Sequence, residues 1–329
     1  MCKTITAFSY LLIRQDTTTC RSKLWHTTPM KRIGVIAIAI LLTGCANSQM
    51  SHNYTISEND VSAISIDAPT TFSVSRVVVL ANGVAEIMNS LNARSIIVGR
   101  DISSSEKALK DVPLATSGHQ VLPEEVIALK PDLVIIDAST GPKAAIAQIE
   151  SAGIRVVQTP ESWTLADISI KVAAVADAIG APQQGVLLIT AIRDAIQTST
   201  LSSKPRIAFL YLRGTSSIYL VGGPGSGADS LISAIGAIDV GATSLPRPFN
   251  TMTAESLATL NPDVIIVMTK GLQSVGGITG LLKLPGVAQT NAGKNHAIID
   301  VDDSLLLSFG PRTPSLVVAL GEKVSAVLK

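Results

Sequence analysis

The sequence predicts an α/β protein of two similar lobes, each a mostly parallel sheet layered with helices on both faces, with a helical region between them. Three observations carry this. Short β-branched runs alternate with amphipathic stretches through the body of the chain. Hydrophobic residues make up 47% of the 329 residues and aromatics only 3%, a balance that suits aliphatic strands buried on both faces. One unit also recurs about 131 residues later: "PEEVIALKPDLVII" (123–136) lines up with "AESLATLNPDVIIV" (254–267). In each copy a glutamate (Glu124, Glu255) stands seven residues before Pro-Asp, a short helix runs between, and an apolar strand follows.

The elements follow in order. "RVVVL" (76–80) reads as a buried strand, 82–91 as an amphipathic helix, and "SIIVG" (95–99) as a second strand. "DLVIID" (132–137) is the next strand, then a helix at 142–151 opened by Pro142, then strand "IRVVQ" (154–158). Two helices come next, 164–179 and 182–199; Gly180 ends the first and Pro182 suits the first turn of the second. The pattern restarts with "RIAFLYL" (206–212), "IYLV" (218–221) and helices at 228–236 and 253–260. Strands "DVIIVM" (263–268) and "HAIIDVD" (296–302) and a final helix from about 314 complete it. This sets an N-terminal lobe at 75–180, a bridging helix at 181–203 and a C-terminal lobe at 204–329.

Ahead of the body, "MKRIGVIAIAILLTGCANSQ" starts at Met30 with two basic residues, an apolar run from Ile33 to Leu42 and small residues up to Cys45. The run is far short of the ~20 apolar residues of a spanning helix but fits the core of a secretory signal. "LTGC" resembles the bacterial lipobox, which implies a signal peptide at 30–44 and lipid on Cys45. Residues 1–29 are polar and mixed, and a start codon placed too far upstream accounts for them, with Met30 as the true start. The mature chain then loses Cys2 and Cys20, and with Cys45 lipidated no thiol remains for a disulfide, a zinc site or a nucleophile. Residues 45–74 are Ser/Asn/Thr-rich and read as a tether between membrane and body. These features place the protein on the extracytoplasmic face of the cell membrane. The net charge of +1 gives no sign of a nucleic-acid partner.

The repeated unit, "GGITGLLKLPGVAQTNAGKNHAIID" and "LLLSFGPRTP" together resemble the substrate-binding proteins of ABC importers for iron chelates and corrinoids (class III). The resemblance covers residues 75–329 and is strongest to the haem-binding lipoproteins of haemin uptake systems. It implies two lobes bridged by a long rigid helix, a ligand held in the cleft between them, little motion on binding, and no enzymatic activity. It also implies partners: an ABC permease with its ATPase, docked by one acid on each lobe, here Glu124 and Glu255, and upstream haem donors. A first-turn glutamate also suits a helix dipole, so the same two residues have an ordinary structural use.

Ferric haem (haem b) as transported ligand needs axial donors, chiefly His, Tyr, Cys or Met. The body holds two histidines, His119 and His296, and two tyrosines, Tyr211 and Tyr219. His119 lies in a loop, "ATSGHQVLPEE", which in the related proteins faces the cleft; His296 follows "GKN" and reads as a surface turn. Tyr211 and Arg213 sit two apart in a strand, so their side chains share a face. A free phenol titrates near ~10 and binds iron poorly when neutral. A guanidinium beside it favours the anionic oxygen through a charge-assisted hydrogen bond. The Tyr-x-Arg pair with a first-lobe histidine resembles one branch of the haem-binding lipoproteins, which implies His119 and Tyr211 as ligands on opposite iron faces and Arg213 as partner of Tyr211. Tyr219 is a candidate for the pocket lining and Met252 a reserve donor, while Met88 and Met268 fit core patterns. For the propionates, Arg247, Arg312 and the amides of "GGPGSGAD" (222–229) are the candidates, while Arg312 equally suits a structural residue supporting a loop.

Other readings are weaker. Gly223, Gly225 and Ala228 match G-x-G-x-x-A with Asp239 beyond, the pattern of an NAD-dependent reductase, but placed mid-chain in an exported protein. An iron-siderophore carrier calls for several arginines or aromatics, and the body has Trp163 as its indole. A corrinoid carrier stays within the same class. A bare zinc or manganese carrier needs a His/Asp/Glu cluster, which two histidines in different lobes do not supply.

Overall fold

The computed structural model describes residues 54–68, 71–197, 201 and 203–329. The extension 1–29, the signal peptide 30–44 and Cys45 lie outside the described residues.

The chain enters the fold earlier than its composition implied. Strand β1 (Tyr54–Ile56) pairs in parallel with the last strand of the C-terminal lobe, with Ile56 fully buried. From there the segment runs along the body: Ile64 N–H donates to Pro311 O at 3.1 Å, Ile66 N–H to Ser90 O at 3.0 Å, and Ser73 N–H to Ile179 O at 2.9 Å. The tether expected at 45–74 therefore cannot extend past residue 53. The alternation Tyr54-Thr-Ile56 and Ile64-Ser-Ile66 carries the packing, inside a composition polar enough to look like linker.

In the first lobe, β2 (Val77–Val79) leads through α1 (Val84–Ser90) to β3 (Ile97–Arg100). A small hairpin, β4 (Thr116–Ser117) and β5 (Gln120–Val121), precedes α2 (Pro123–Ala128). Then come β6 (Leu133–Ile136), α3 (Lys143–Ser151) and β7 (Arg155–Gln158). The sheet runs β3-β2-β6-β7, parallel throughout. Two helices follow, α4 (Asp167–Ile179) and α5 (Pro182–Ala195), packed on each other. Gly180 ends α4 with φ +78. The helix expected as the bridge at 181–203 is observed as α5, Pro182–Ala195, packed along α4. It is α4, assigned from sequence to the first lobe, that packs on α1 and sends Lys171 Nζ to Ser308 O of the second lobe at 2.9 Å.

The second lobe begins with β8 (Arg206–Arg213) and β9 (Ile218–Gly222), then α6 (Ala228–Ala234), β10 (Ile238–Asp239) and α7 (Val240–Ser244). After β11 (Phe249–Thr251) come α8 (Ala254–Leu260), β12 (Val264–Met268), α9 (Thr269–Ser274), β13 (Ile298–Val301) and a C-terminal helix, Thr313–Val327. The sheet order is β1-β13-β12-β8-β9-β11, with β10 on the first residues of β8. It is parallel except that β9 runs antiparallel to both β8 and β11.

The repeated Pro-Asp has a physical purpose. Asp132 accepts the N–H of Arg76, at the foot of β2, at 3.1 Å, and Asp263 accepts the N–H of Arg206, at the foot of β8, at 3.0 Å. Each arginine then reaches back to the end of the helix before that Pro-Asp: Arg76 Nη2 to Leu129 O and Arg206 Nη2 to Leu260 O, both 2.7 Å. One clasp, built twice, closes helix, turn and two strands in each lobe.

Candidate functional site

The carboxyl ends of parallel strands converge on one cavity of about 780 Å³, the place where open α/β sheets bind ligands. From the first lobe, Asn82 follows β2, Ile102 and Ser103 follow β3, Ser139 follows β6 and Trp163 follows β7. From the second, Tyr211 and Arg213 end β8, Met268 ends β12 with Lys270 just beyond, and Asp303 and Ser304 follow β13. His119 arrives by a different route. It is the second residue of the two-residue turn joining β4 to β5, which Gly118 (φ +58) makes tight, as a glycine-first hairpin turn requires. Val121 N–H fastens the hairpin to Gly141 O at 2.9 Å.

His119, Tyr211 and Arg213 therefore line one cavity from two lobes. Arg213 Nε donates to Tyr211 Oη at 2.5 Å. Tyr211 also stands edge-on to Phe249, ring centroids 5.7 Å apart. β8 outruns its parallel neighbour here: pairing with β12 ends at Leu210, which leaves Tyr211 half-buried at the rim of the core and Arg213 exposed. The turn beyond them is packed tightly against α9. A Cβ on Gly214 would lie 2.2 Å from Ser274 O, while Gly214 N–H donates to Ser274 Oγ at 2.8 Å.

Other expected positions are not at the cavity. Tyr219 pairs with Leu212 and points away, leaving its neighbour Leu220 on the cavity wall, as strand alternation demands. Met252 is buried elsewhere, and Met268 is the methionine on the wall. His296 is exposed in a turn with φ +52. Arg247 does not line the cavity, and neither does the 222–229 loop. The amides of that loop are already used: Gly225 N–H and Gly227 N–H donate to Asp229 at 2.8 and 3.0 Å. Its preceding strand, β9, leads into α6 but is antiparallel to both neighbours, so the parallel βαβ unit of a dinucleotide fingerprint is absent. Asp239 caps α7 by accepting Ala242 N–H at 2.9 Å. Among the described residues, no group of three or more His, Cys, Asp or Glu could hold a bare metal ion, and no helix is long and apolar enough to cross a membrane.

Arg312 serves beneath the cavity instead. It is buried, with Nε 2.9 Å from Glu86 Oε2 and Nη2 3.4 Å from Glu106 Oε1. Glu86 Oε1 also accepts the N–H of Arg312 at 2.6 Å, at the start of the C-terminal helix. Two carboxylates of the first lobe thus grip the second lobe, next to the place where Lys171 binds Ser308 O. Burial, helped by Glu86 and opposed by Arg312, pushes Glu106 up to about 7. Burial pulls Lys171 down to about 8 against the pull of Glu86, Asp137 and Glu161.

Sequence reasoning missed Trp163, Lys270, Asp303 and Ser304 as cavity residues. The usable signal was topological: each lies within five residues of the end of a strand that the sequence does reveal.

The family described as periplasmic binding protein matches residues 77–305. An uncharacterised ABC transporter substrate-binding lipoprotein, YvrC of Bacillus subtilis (strain 168), is 25% identical over 315 residues, spanning 89% of this chain and 97% of its own. The periplasmic heme-binding protein RhuT from Roseiflexus sp. RS-1, in apo form, superposes with a TM-score of 0.71 at 34% identity, covering 78% of this chain and 99% of its own. The heme-binding protein HmuT gives the same TM-score, 0.71, at 30% identity over 83% of this chain and 94% of its own.

Proposed function

The chain belongs to the periplasmic binding protein family, and we propose that it is a haem receptor that captures ferric haem between its lobes and passes it to an ABC permease and its ATPase. His119 and Tyr211 are the axial ligands and Arg213 holds the Tyr211 oxygen in its iron-binding form. Lipid on Cys45 tethers the protein outside the cell membrane, and Glu124 and Glu255, both exposed in the first turns of α2 and α8, meet the permease. The protein binds and delivers; it does not catalyse.

The observation that carries this reading is the meeting of a histidine from one lobe and a Tyr–Arg pair from the other in a single cavity. Ferric iron favours an anionic oxygen donor, and a guanidinium hydrogen bond stabilises the charge on that oxygen. Trp163, Phe249, Leu307 and Ile102 add apolar wall suited to a flat macrocycle. The relatives named for haem binding support the same ligand class. If Cys45 carries lipid, the eight residues 46–53 allow roughly 30 Å of reach between membrane and body.

The test is the visible spectrum of the purified protein with ferric haemin, beside His119→Ala, Tyr211→Phe and Arg213→Ala. The wild type should give a ligated spectrum distinct from free haemin. His119→Ala and Tyr211→Phe should each shift it, and Arg213→Ala should make the tyrosinate band more sensitive to pH. A wild-type spectrum identical to free haemin rejects the function. Binding that both ligand variants leave unchanged rejects the ligands.

A further inference from the structure

The cavity's cations are fewer than the sequence implied, and that narrows what the ligand must carry. With Arg247 and Arg312 elsewhere, Arg213 and Lys270 are the Lys and Arg side chains on the wall. Arg213 is directed at the Tyr211 oxygen. Lys270 has no such partner: among the described residues, no carboxylate ion-pairs with its ammonium. Its backbone is fixed. Lys270 N–H donates to Asp303 Oδ2 at 2.9 Å, and the preceding Thr269 Oγ1 donates to Asp300 Oδ2 at 2.7 Å. The ammonium therefore sits on an anchored helix start, in no direct ion pair, on the wall of a ligand cavity.

We infer that Lys270 pairs with an acidic side arm of the bound macrocycle and sets the pocket's preference for carboxylate-bearing over amidated or esterified tetrapyrroles. This rests on the haem reading above and adds its specificity element. Apart from the two cations, Asp303 and the proposed ligands His119 and Tyr211, the polar side chains of the wall, including Asn82, Ser103, Ser139 and Thr215, are neutral and hydrogen-bond an acid or an amide equally well. A cation does not: it favours the ionised acid through a charge-assisted bond. Asp303 lies close enough to Lys270 to feel its charge, and it also feels the charges of Asp302 and Arg213. Burial raises the pKa of Asp303 and Asp302 adds to that rise, while Lys270 and Arg213 oppose it, so Asp303 is a costly acid beside the two cations of the wall. A ligand carboxylate adds the second negative charge that this cluster accommodates. A corrinoid, whose side arms are carboxamides, gains nothing from it.

The experiment compares ferric haemin with its dimethyl ester, titrated into the full chain as wild type, Lys270→Met and Lys270→Arg. Lys270 is exposed, so neither variant threatens the fold. The wild type should bind haemin about tenfold more tightly than the ester. Lys270→Met should lose roughly that factor for haemin and none for the ester, with the ligation bands unchanged, and Lys270→Arg should restore discrimination. Equal wild-type affinity for haemin and ester overturns the assignment while leaving the haem reading intact. So does a Lys270→Met protein that still discriminates. A wild type that binds neither porphyrin overturns the haem reading, and Lys270's role with it.

Discussion

Replacing Glu106 by Gln isolates the electrostatics of the contact that joins the lobes. Glu106 is largely buried, beside Arg312 and near Glu86, and its pKa stands at about 7 against the usual 4.5 of a free glutamate. Between those two values the folded chain holds a proton that the unfolded chain has released. Stability from this group is therefore greatest in acid, falls as the pH rises from about 4.5 to about 7, and is flat above. Each pH unit across that window is worth ~1.4 kcal/mol, so between pH 5 and pH 8 the wild type should lose about 2–3 kcal/mol that Glu106→Gln does not. The assay is urea unfolding of both proteins at pH 5, 6, 7 and 8. Taking the difference removes other titrating groups, including Asp239, which burial pushes up to about 6 and which acts with the same sign. Lys171, which burial pulls down to about 8, is common to both proteins and cancels in the same difference. Parallel wild-type and Glu106→Gln profiles would refute the reasoning, because they would mean the carboxyl ionises in the folded state as it does in water.

Arg312→Met should be the costlier change, since it leaves Glu86 buried without its cation. Losing one partner of a buried pair costs about 3–5 kcal/mol, or roughly 6–10 °C in melting temperature for a body of this size. Adding Glu86→Gln should recover part of it, and a drop under about 2 °C for Arg312→Met alone would show that the pair does not hold the lobes. The exposed acids should behave oppositely: Glu124→Arg with Glu255→Arg should leave melting temperature and haemin affinity unchanged while abolishing haem delivery to permease in proteoliposomes. Wild-type delivery by that double variant would remove the docking role.

The major elements were legible because their signals are local. Period-two and period-3.6 patterns mark the strands and long helices, and the Tyr211–Arg213 adjacency follows from strand alternation alone, as their hydrogen bond now bears out. His119 stood out because the body has few histidines and its loop resembles the cleft-facing loop of the related proteins, but the hairpin presenting it has strands of two residues each, too short to leave a periodic signal. Strand β1 was hidden by its serine- and asparagine-rich surroundings. Arg312 carried two readings, a propionate donor and a structural residue supporting a loop, which the sequence does not separate. An arginine in "FGPRTP" looks available for a ligand, and only Glu86, 226 positions away in sequence, shows that it is consumed inside the protein. Lys270 and Asp303 were missed because their adjacency depends on β12 and β13 being neighbours in the sheet, which no local pattern encodes.

The same topology bears on where the proposed ligand residues and the proposed docking acids stand on each sheet. A helix that returns toward the foot of a parallel sheet begins at the sheet's carboxyl edge. In both lobes the clasp at Leu129 and Leu260 fixes the far end of α2 and α8 at the strand feet. Their first turns, carrying Glu124 and Glu255, must then lie toward the edge where the cavity opens. The chain leading into each helix agrees. α2 follows the hairpin that bears His119, and α8 follows β11, whose Thr251 pairs with Leu220 on the cavity wall and whose Phe249 packs on Tyr211. Each lobe thus connects a cavity contact to an exposed acid through a few residues of backbone. The two copies of the repeat set this spacing independently, so a change confined to one lobe should disturb that lobe's contact and leave the other's in place.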